Sequence, residues 1–233
     1  MDFNEGIIIP IDKPYRMSSF GALAHIRYVL SRRLGVKRVK MGHAGTLDPL
    51  ATGVLLLCTG KATKQIDSLQ AETKEYVAGL QLGATTASYD REHTVNFTYP
   101  TKQITRQRVD EALRQFEGDI MQVPPEFSAC KVDGKRAYLL MRKGRDVQLK
   151  AKPLHIDEIE LLDFNPEEMT LSIRVVCGKG TYIRALARDI GQALDSGAFL
   201  TSLRRTRVGK FSVSEAVNFD EFPQWLDKVM NQD

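Results

Sequence analysis

Residues 42–55 read GHAGTLDPLATGVL, and in them stands Asp48, the only acidic residue between Asp12 and Asp67. Taken alone, an aspartate before proline among glycines reads as a turn residue that hydrogen-bonds its own backbone. The other reading is a loop built to present a carboxylate. What flanks the loop bears on the fold. On its C-terminal side VLLLC (54–58) is an unbroken apolar run, as in a buried strand. On its N-terminal side GIIIPIDKP (6–14) predicts a short buried strand ending in an X-Pro turn. Ser18 and Ser19 are placed to cap a helix with Leu23, Ile26, Leu30 and Leu34 at helical spacing, ending before Gly35.

Further along, KATKQIDSLQ (61–70) predicts a short helix and KEYVAGLQL (74–82) a strand. Thr105 caps a helix carrying Val109, Leu113 and Phe116, which Gly118 stops. HIDEIELLDF (155–164) and MTLSIRVVC (169–177) predict neighbouring strands joined through NPEE. GTYIRALARDIGQALD (180–195) predicts a helix, and VGKFSVSEAV (208–217) a last strand. VPPEFSACKVDGKRAYLLMRKGR (123–145) opens with a proline pair and reads as a surface excursion with a short basic helix. Strands and helices intermingle without a regular βαβ rhythm, so the expected class is α+β.

The 233 residues suffice for a proper core, and 42% hydrophobic with 27% charged content is that of a soluble globular protein. No apolar run is long enough for a membrane span, and the N-terminal stretch does not match a signal peptide. Cys58, Cys130 and Cys177 lie far apart without paired spacing, which points to a reducing cytoplasm and away from a zinc site. The net charge of +4 is unevenly spread: residues 32–40 carry five basic groups and no acid, 131–145 six against Asp133, and 203–210 four and no acid. From Glu215 onward there are five acids against Lys228. Basic clusters beside an acidic tail suit a polyanion such as nucleic acid, although each cluster alone also reads as a solvated face.

Several motifs fail. GVLLLCTGKAT (53–63) misses the phosphate-loop pattern, because six residues separate Gly53 from Gly60 and Ala62 replaces the required Ser or Thr. His25, His43, His93 and His155 form no metal-binding spacing, and no second carboxylate adjoins Asp48.

The fourteen-residue loop as a whole resembles the signature loop of the TruB-type tRNA pseudouridine synthases. DKPYRMSS (12–19), KEYVAGLQLG (74–83), PPEFSACKVDGKRAYLLMRKG (124–144), GKGTYIRALARDIG (178–191) and LRRTRVGKF (203–211) resemble that family's other motifs, in the same order. The resemblance covers residues 7 to about 213. One stretch departs: TTASYDREHT (85–94) stands where the family shows an acidic TDTxDxxG pattern. Many members add a C-terminal RNA-binding PUA domain, and nothing after residue 213 is long or basic enough for one.

The resemblance implies a single pseudouridine synthase domain over 1–233, with one mixed, mainly antiparallel sheet, flanking helices and a thumb-like RNA-binding insertion at about 126–150. It implies a monomeric cytoplasmic enzyme acting on the T-stem-loop of tRNA at uridine 55, with no cofactor and no metal. Asp48 would be the catalytic carboxylate and Arg184 its cationic partner. Tyr76 would lie against the flipped uracil, its hydroxyl placed to move the C5 proton. Tyr182 and Leu203 would line the pocket, His43 would support the everted nucleotide, and Lys13 would support the pocket. Lys131, Lys135, Arg136, Arg142, Lys143, Arg204 and Arg205 would contact RNA. Read singly, these residues have plainer roles: Arg184 as a snorkelling helix residue, the tyrosines and Leu203 as core, Lys13 as a turn lysine. Two rival readings remain at this level: an RNA-binding folding helper for tRNA, and a guide-RNA-dependent synthase for ribosomal RNA.

Overall fold

The computed structural model describes residues 2–128 and 149–231, together with the backbone of residues 131–132 and 135–136. In chain order the strands are β1 (Ile8–Lys13), β2 (Met41–Ala44), β3 (Thr52–Thr59), β4 (Lys74–Leu82), β5 (Ala84–Thr86), β6 (Val95–Thr98), β7 (Gly118–Gln122), β8 (Lys131–Val132), β9 (Lys135–Arg136), β10 (Lys152–Asn165), β11 (Thr170–Cys177), β12 (Ala198–Val208), β13 (Phe211–Ser212) and β14 (Val217–Asn218). The helices are α1 (Ser19–Arg33), α2 (Ile66–Ala71), α3 (Arg106–Arg114), α4 (Ile183–Ala193) and α5 (Phe222–Met230). They form a mixed α+β fold with a large, mostly antiparallel sheet and flanking helices, as expected. Packing divides the chain into two compact units, Met1–Tyr76 with Arg204–Asp233, and Val77–Leu203.

In the first unit the strand order is β14-β1-β3-β12, with β2 on β3 and β13 on β12. β3 is central, and this explains its unbroken apolar run: Leu55 and Leu57 pack on one side with Ile9, Ile11, Ile26, Leu30, Phe222 and Leu226, while Val54, Leu56 and Cys58 pack on the other with Ala44 and Val208. α1 forms as its sequence predicts. The Ser18 hydroxyl accepts the Gly21 N–H at 3.0 Å, Ala22, Leu23, Ile26 and Leu30 are buried, and Arg32 and Arg33 lie in the last turn, where cations suit the helix dipole.

β12 runs parallel to β3, pairing Arg204 with Thr52 and Arg205 with Gly53. Gly53 has φ of +101°, and a Cβ built there would sit 2.1 Å from the Arg205 carbonyl oxygen. Backbone approach this close leaves no room for a side chain. Gly53→Ala is therefore expected to lower unfolding free energy by at least about 2 kcal/mol in urea titrations. A variant as stable as the parent would contradict this packing.

In the second unit β4-β11-β10-β7 form the sheet. β10 and β11 are an antiparallel hairpin in which Glu160 faces Arg174, and the Arg174 Nε donates to Glu160 at 2.8 Å. The α3 residues Val109 and Leu113 and the α4 residues Ile183, Leu186 and Ile190 are buried.

Two expectations are corrected. Residues 42–44 belong to strand β2 and not to the loop. The stretch 208–217 is not one strand but β13, a short 3-10 turn and the start of β14. The long strand there is β12, whose three arginines read in sequence as a basic cluster. Within the 126–150 excursion, β8 and β9 pair Lys131 with Arg136 and Val132 with Lys135, while the expected basic helix lies outside the described residues. No helix among the described residues is long and apolar enough to cross a membrane.

Candidate active site

β2 ends at Ala44, which pairs with Leu56, so residues 45–51 leave the sheet as a loop. Its tip is a tight turn in which the Asp48 carbonyl accepts the Ala51 N–H at 3.1 Å, with Pro49 inside the turn. The turn reading of Asp48 thus holds for its backbone. The side chain is half-buried and has charged neighbours.

Buried polar side chains hold this loop from three directions. Lys13, fully buried at the end of β1, donates from Nζ to the carbonyls of Pro14 at 2.8 Å, Met17 at 2.6 Å and Pro49 at 3.4 Å. The Ser19 hydroxyl both accepts the Leu47 N–H at 2.8 Å and donates to the Leu47 carbonyl at 2.9 Å. Arg205 donates from Nε to the Val54 carbonyl at 2.8 Å and from Nη2 to the Gly45 carbonyl at 3.2 Å, tying the first residue of the loop to strand β3.

Arg205 is 1% exposed, which does not suit the phosphate contact expected of it. Neighbouring residues of a strand point to opposite sides, so Arg205 goes inward and Arg204 outward. The Arg204 guanidinium forks onto Asp12, at 3.1 and 2.7 Å, and keeps a partly exposed side chain.

The electrostatics follow from this burial. Burial pushes the Lys13 ammonium down to about 8, with Asp48 acting to raise it and Arg205 to lower it further. Burial, and then the Arg205 charge, hold His43 below the usual imidazole value, so His43 is neutral at pH 7. Its Nδ1 is buried without a hydrogen-bond partner, alone in this among the described side chains. Because the folded Lys13 value lies below 10.5, the unfolded chain binds more protons between about pH 8 and 10.5, and this group adds stability as pH rises through that window. The stability gap between wild type and Lys13→Met should move in favour of wild type by on the order of 3 kcal/mol from pH 7.5 to 10.5. Parallel stability curves would refute the assignment.

In the second unit Arg184 is the second residue of α4 and is buried. Its Nη1 donates to the Ser88 carbonyl at 3.2 Å, its Nη2 to the Phe127 carbonyl at 3.0 Å, and its Nε lies 3.8 Å from Asp90 Oδ2. The Asp90 carboxylate also accepts the Ser88 hydroxyl at 2.5 Å and the Glu92 N–H at 2.9 Å. Tyr182 is the N-cap residue of α4, and its backbone is held by Gln122, which accepts its N–H at 2.9 Å and donates to its carbonyl at 3.2 Å. Leu203 is half-buried in β12, and Tyr76 is on the buried face of β4.

The structure thus gathers Lys13, His43, Asp48 and Arg205 in the first unit. In the second it fixes Arg184 and the Tyr182 backbone. Sequence reasoning missed Ser19, Asp90 and Gln122 as parts of these arrangements. Asp90 had one signal, as the acid following Ser88 in the departing stretch 85–94. Lys131, Lys135, Arg136, Arg142 and Lys143 have side chains outside the described residues.

The model of the TruB family pseudouridylate synthase N-terminal domain matches residues 31–183, and that of the tRNA pseudouridylate synthase B C-terminal domain matches 184–232. The chain belongs to the TruB family of pseudouridylate synthases. It is 61% identical to the tRNA pseudouridine synthase B of Phocaeicola vulgatus over 98% of this chain and 96% of that one. To the protein of that name in Mycobacterium bovis it is 44% identical, over 93% of this chain and 72% of the other. Among solved structures, a chain of a Cbf5-Nop10-Gar1 complex superposes with a TM-score of 0.71 at 28% identity, over 97% of this chain and 57% of that chain.

Proposed function

We propose that this chain converts the uridine at position 55 in the T-loop of tRNA to pseudouridine, acting as a cytoplasmic monomer without a cofactor. The observation that carries the reading is the Asp48 loop, a carboxylate whose backbone is pinned by Lys13, Ser19 and Arg205. The tRNA pseudouridine synthase B relatives support the substrate, since they match nearly end to end.

The reaction breaks the N1–C1′ bond, turns the uracil and forms a C5–C1′ bond; C5 loses a proton and N1 gains one. Asp48 meets the reacting nucleotide at the sugar–base junction as the carboxylate, and its charge in turn favours the ammonium form of the buried Lys13. Arg184, already fixed by Asp90, Ser88 and Phe127, is the guanidinium that steadies the carboxylate in the working enzyme. Tyr76 stacks on the uracil and its hydroxyl moves the C5 proton, while Tyr182 and Leu203 enclose the base. His43, neutral and with an unpaired buried nitrogen, supports the everted nucleotide. Extruding the uridine costs a few kcal/mol of stacking and pairing. Contacts from the 126–150 insertion and Arg204 to phosphates offset it.

The isolated protein, given a bare T-stem-loop with tritium at uridine C5, should release that tritium without any guide RNA. A pure tRNA-folding helper releases none, and a guided synthase releases it only with its guide present.

A further inference from the structure

We infer that Ser19 is a positioning residue for catalysis, holding the peptide that carries Asp48 in its working orientation. The inference rests on the proposed role of Asp48. Ser19 stands in the first turn of α1, where a serine commonly caps its own helix, but Ser18 already does so through the Gly21 N–H. The Ser19 hydroxyl is therefore free to reach Leu47, 28 positions along the chain. A hydroxyl has one proton to give and lone pairs to receive with. Ser19 commits both functions to one residue, accepting the Leu47 N–H at 2.8 Å and donating to the Leu47 carbonyl at 2.9 Å. Both residues are almost wholly shielded, Ser19 at 2% and Leu47 at 3% exposure, so water does not replace these bonds.

The Leu47 carbonyl belongs to the peptide unit that joins Leu47 to Asp48. Ser19 fixes that plane. The turn bond from Ala51 and the contact of Lys13 with Pro49 fix the planes that follow. The Asp48 Cα thus sits between peptides that cannot rotate. Without the hydroxyl, Leu47 keeps a buried N–H and C=O with no Ser19 partner, and the peptide turns to satisfy them. The carboxylate then swings with it. A misplacement near 1 Å costs on the order of a hundredfold in rate.

The test is single-turnover isomerisation of a T-stem-loop with enzyme in excess, beside direct measurement of its Kd. Ser19→Ala should slow the chemical step roughly 30- to 100-fold while Kd moves less than about twofold. Ser19→Thr keeps the hydroxyl and should recover most of the rate. Leu226→Ala, which truncates a core residue of α5, serves as the stability control: at equal loss of Tm it should keep the wild-type rate. If Ser19→Ala does not fold, Ser19→Cys, of similar shape and weaker hydrogen bonding, should show the slowing in smaller measure. The inference is overturned if Ser19→Ala, or Ser19→Cys in its place, reacts as fast as wild type, if Ser19→Thr stays as slow as Ser19→Ala, or if Leu226→Ala slows equally. Wild-type protein inactive on every tRNA would instead overturn the reading of Asp48 beneath it.

Discussion

Asp48→Asn is expected to lower turnover by at least about a thousandfold while leaving tRNA affinity within about twofold of wild type. Asparagine keeps the shape and size of the side chain, so the turn closed by the Ala51 N–H and the clamps on Leu47 and Pro49 survive. What goes is the negative charge. The buried Lys13 ammonium, whose charge Asp48 favours, then loses that neighbouring anion. An amide there does not attract that ammonium and cannot act at the sugar or take a proton from it. RNA affinity should persist, because it comes mainly from phosphate contacts by groups elsewhere. Filter binding and single-turnover rates on the same preparation separate the two quantities. A variant that still isomerises uridine at a tenth of the wild-type rate would remove Asp48 from the mechanism.

The second large effect is expected at Arg184. Arg184→Lys keeps the charge and loses the fork. A lysine ammonium cannot reach the Ser88 carbonyl, the Phe127 carbonyl and Asp90 in the directions a guanidinium does. The rate should fall roughly a hundred- to a thousandfold with modest loss of stability. Arg184→Met goes further and leaves Asp90, only 6% exposed, without its cation. The Ser88 hydroxyl and Glu92 N–H still hold that carboxylate, so the expected stability loss is about 3 kcal/mol and not more. Asp90→Asn in the Arg184→Met background should recover part of the stability and none of the activity. A lysine variant with wild-type turnover would make Arg184 a structural residue alone.

Local signals carried much of the fold. α1 was legible because its cap, its spacing and its terminal glycine all lie within one stretch, and they agree. The β10–β11 hairpin was legible because two apolar runs flank NPEE. β12 was not, because arginines at 204, 205 and 207 look like a solvated face. Only in the folded chain do the Val54 and Gly45 carbonyls compensate a buried guanidinium at Arg205. β7 was missed because Gly118, read as a helix stop, also opens the next strand. α5 was hidden in an acidic tail, though Phe222 and Leu226 stand one turn apart and both are buried. At the site, Asp48 stood out through its whole loop. Ser19, Asp90 and Gln122 did not, since their bonds join residues far apart in sequence or depend on burial. No local spacing announces such pairs.

The central claim is that this chain, unaided, isomerises one T-loop uridine. Unmodified tRNA with tritium at C5 of every uridine, incubated with the purified protein, tests it most directly. The account predicts release of one equivalent of tritium per tRNA, pseudouridine at position 55, and no release from tRNA carrying cytidine there. No release, or release from uridines elsewhere, would contradict it.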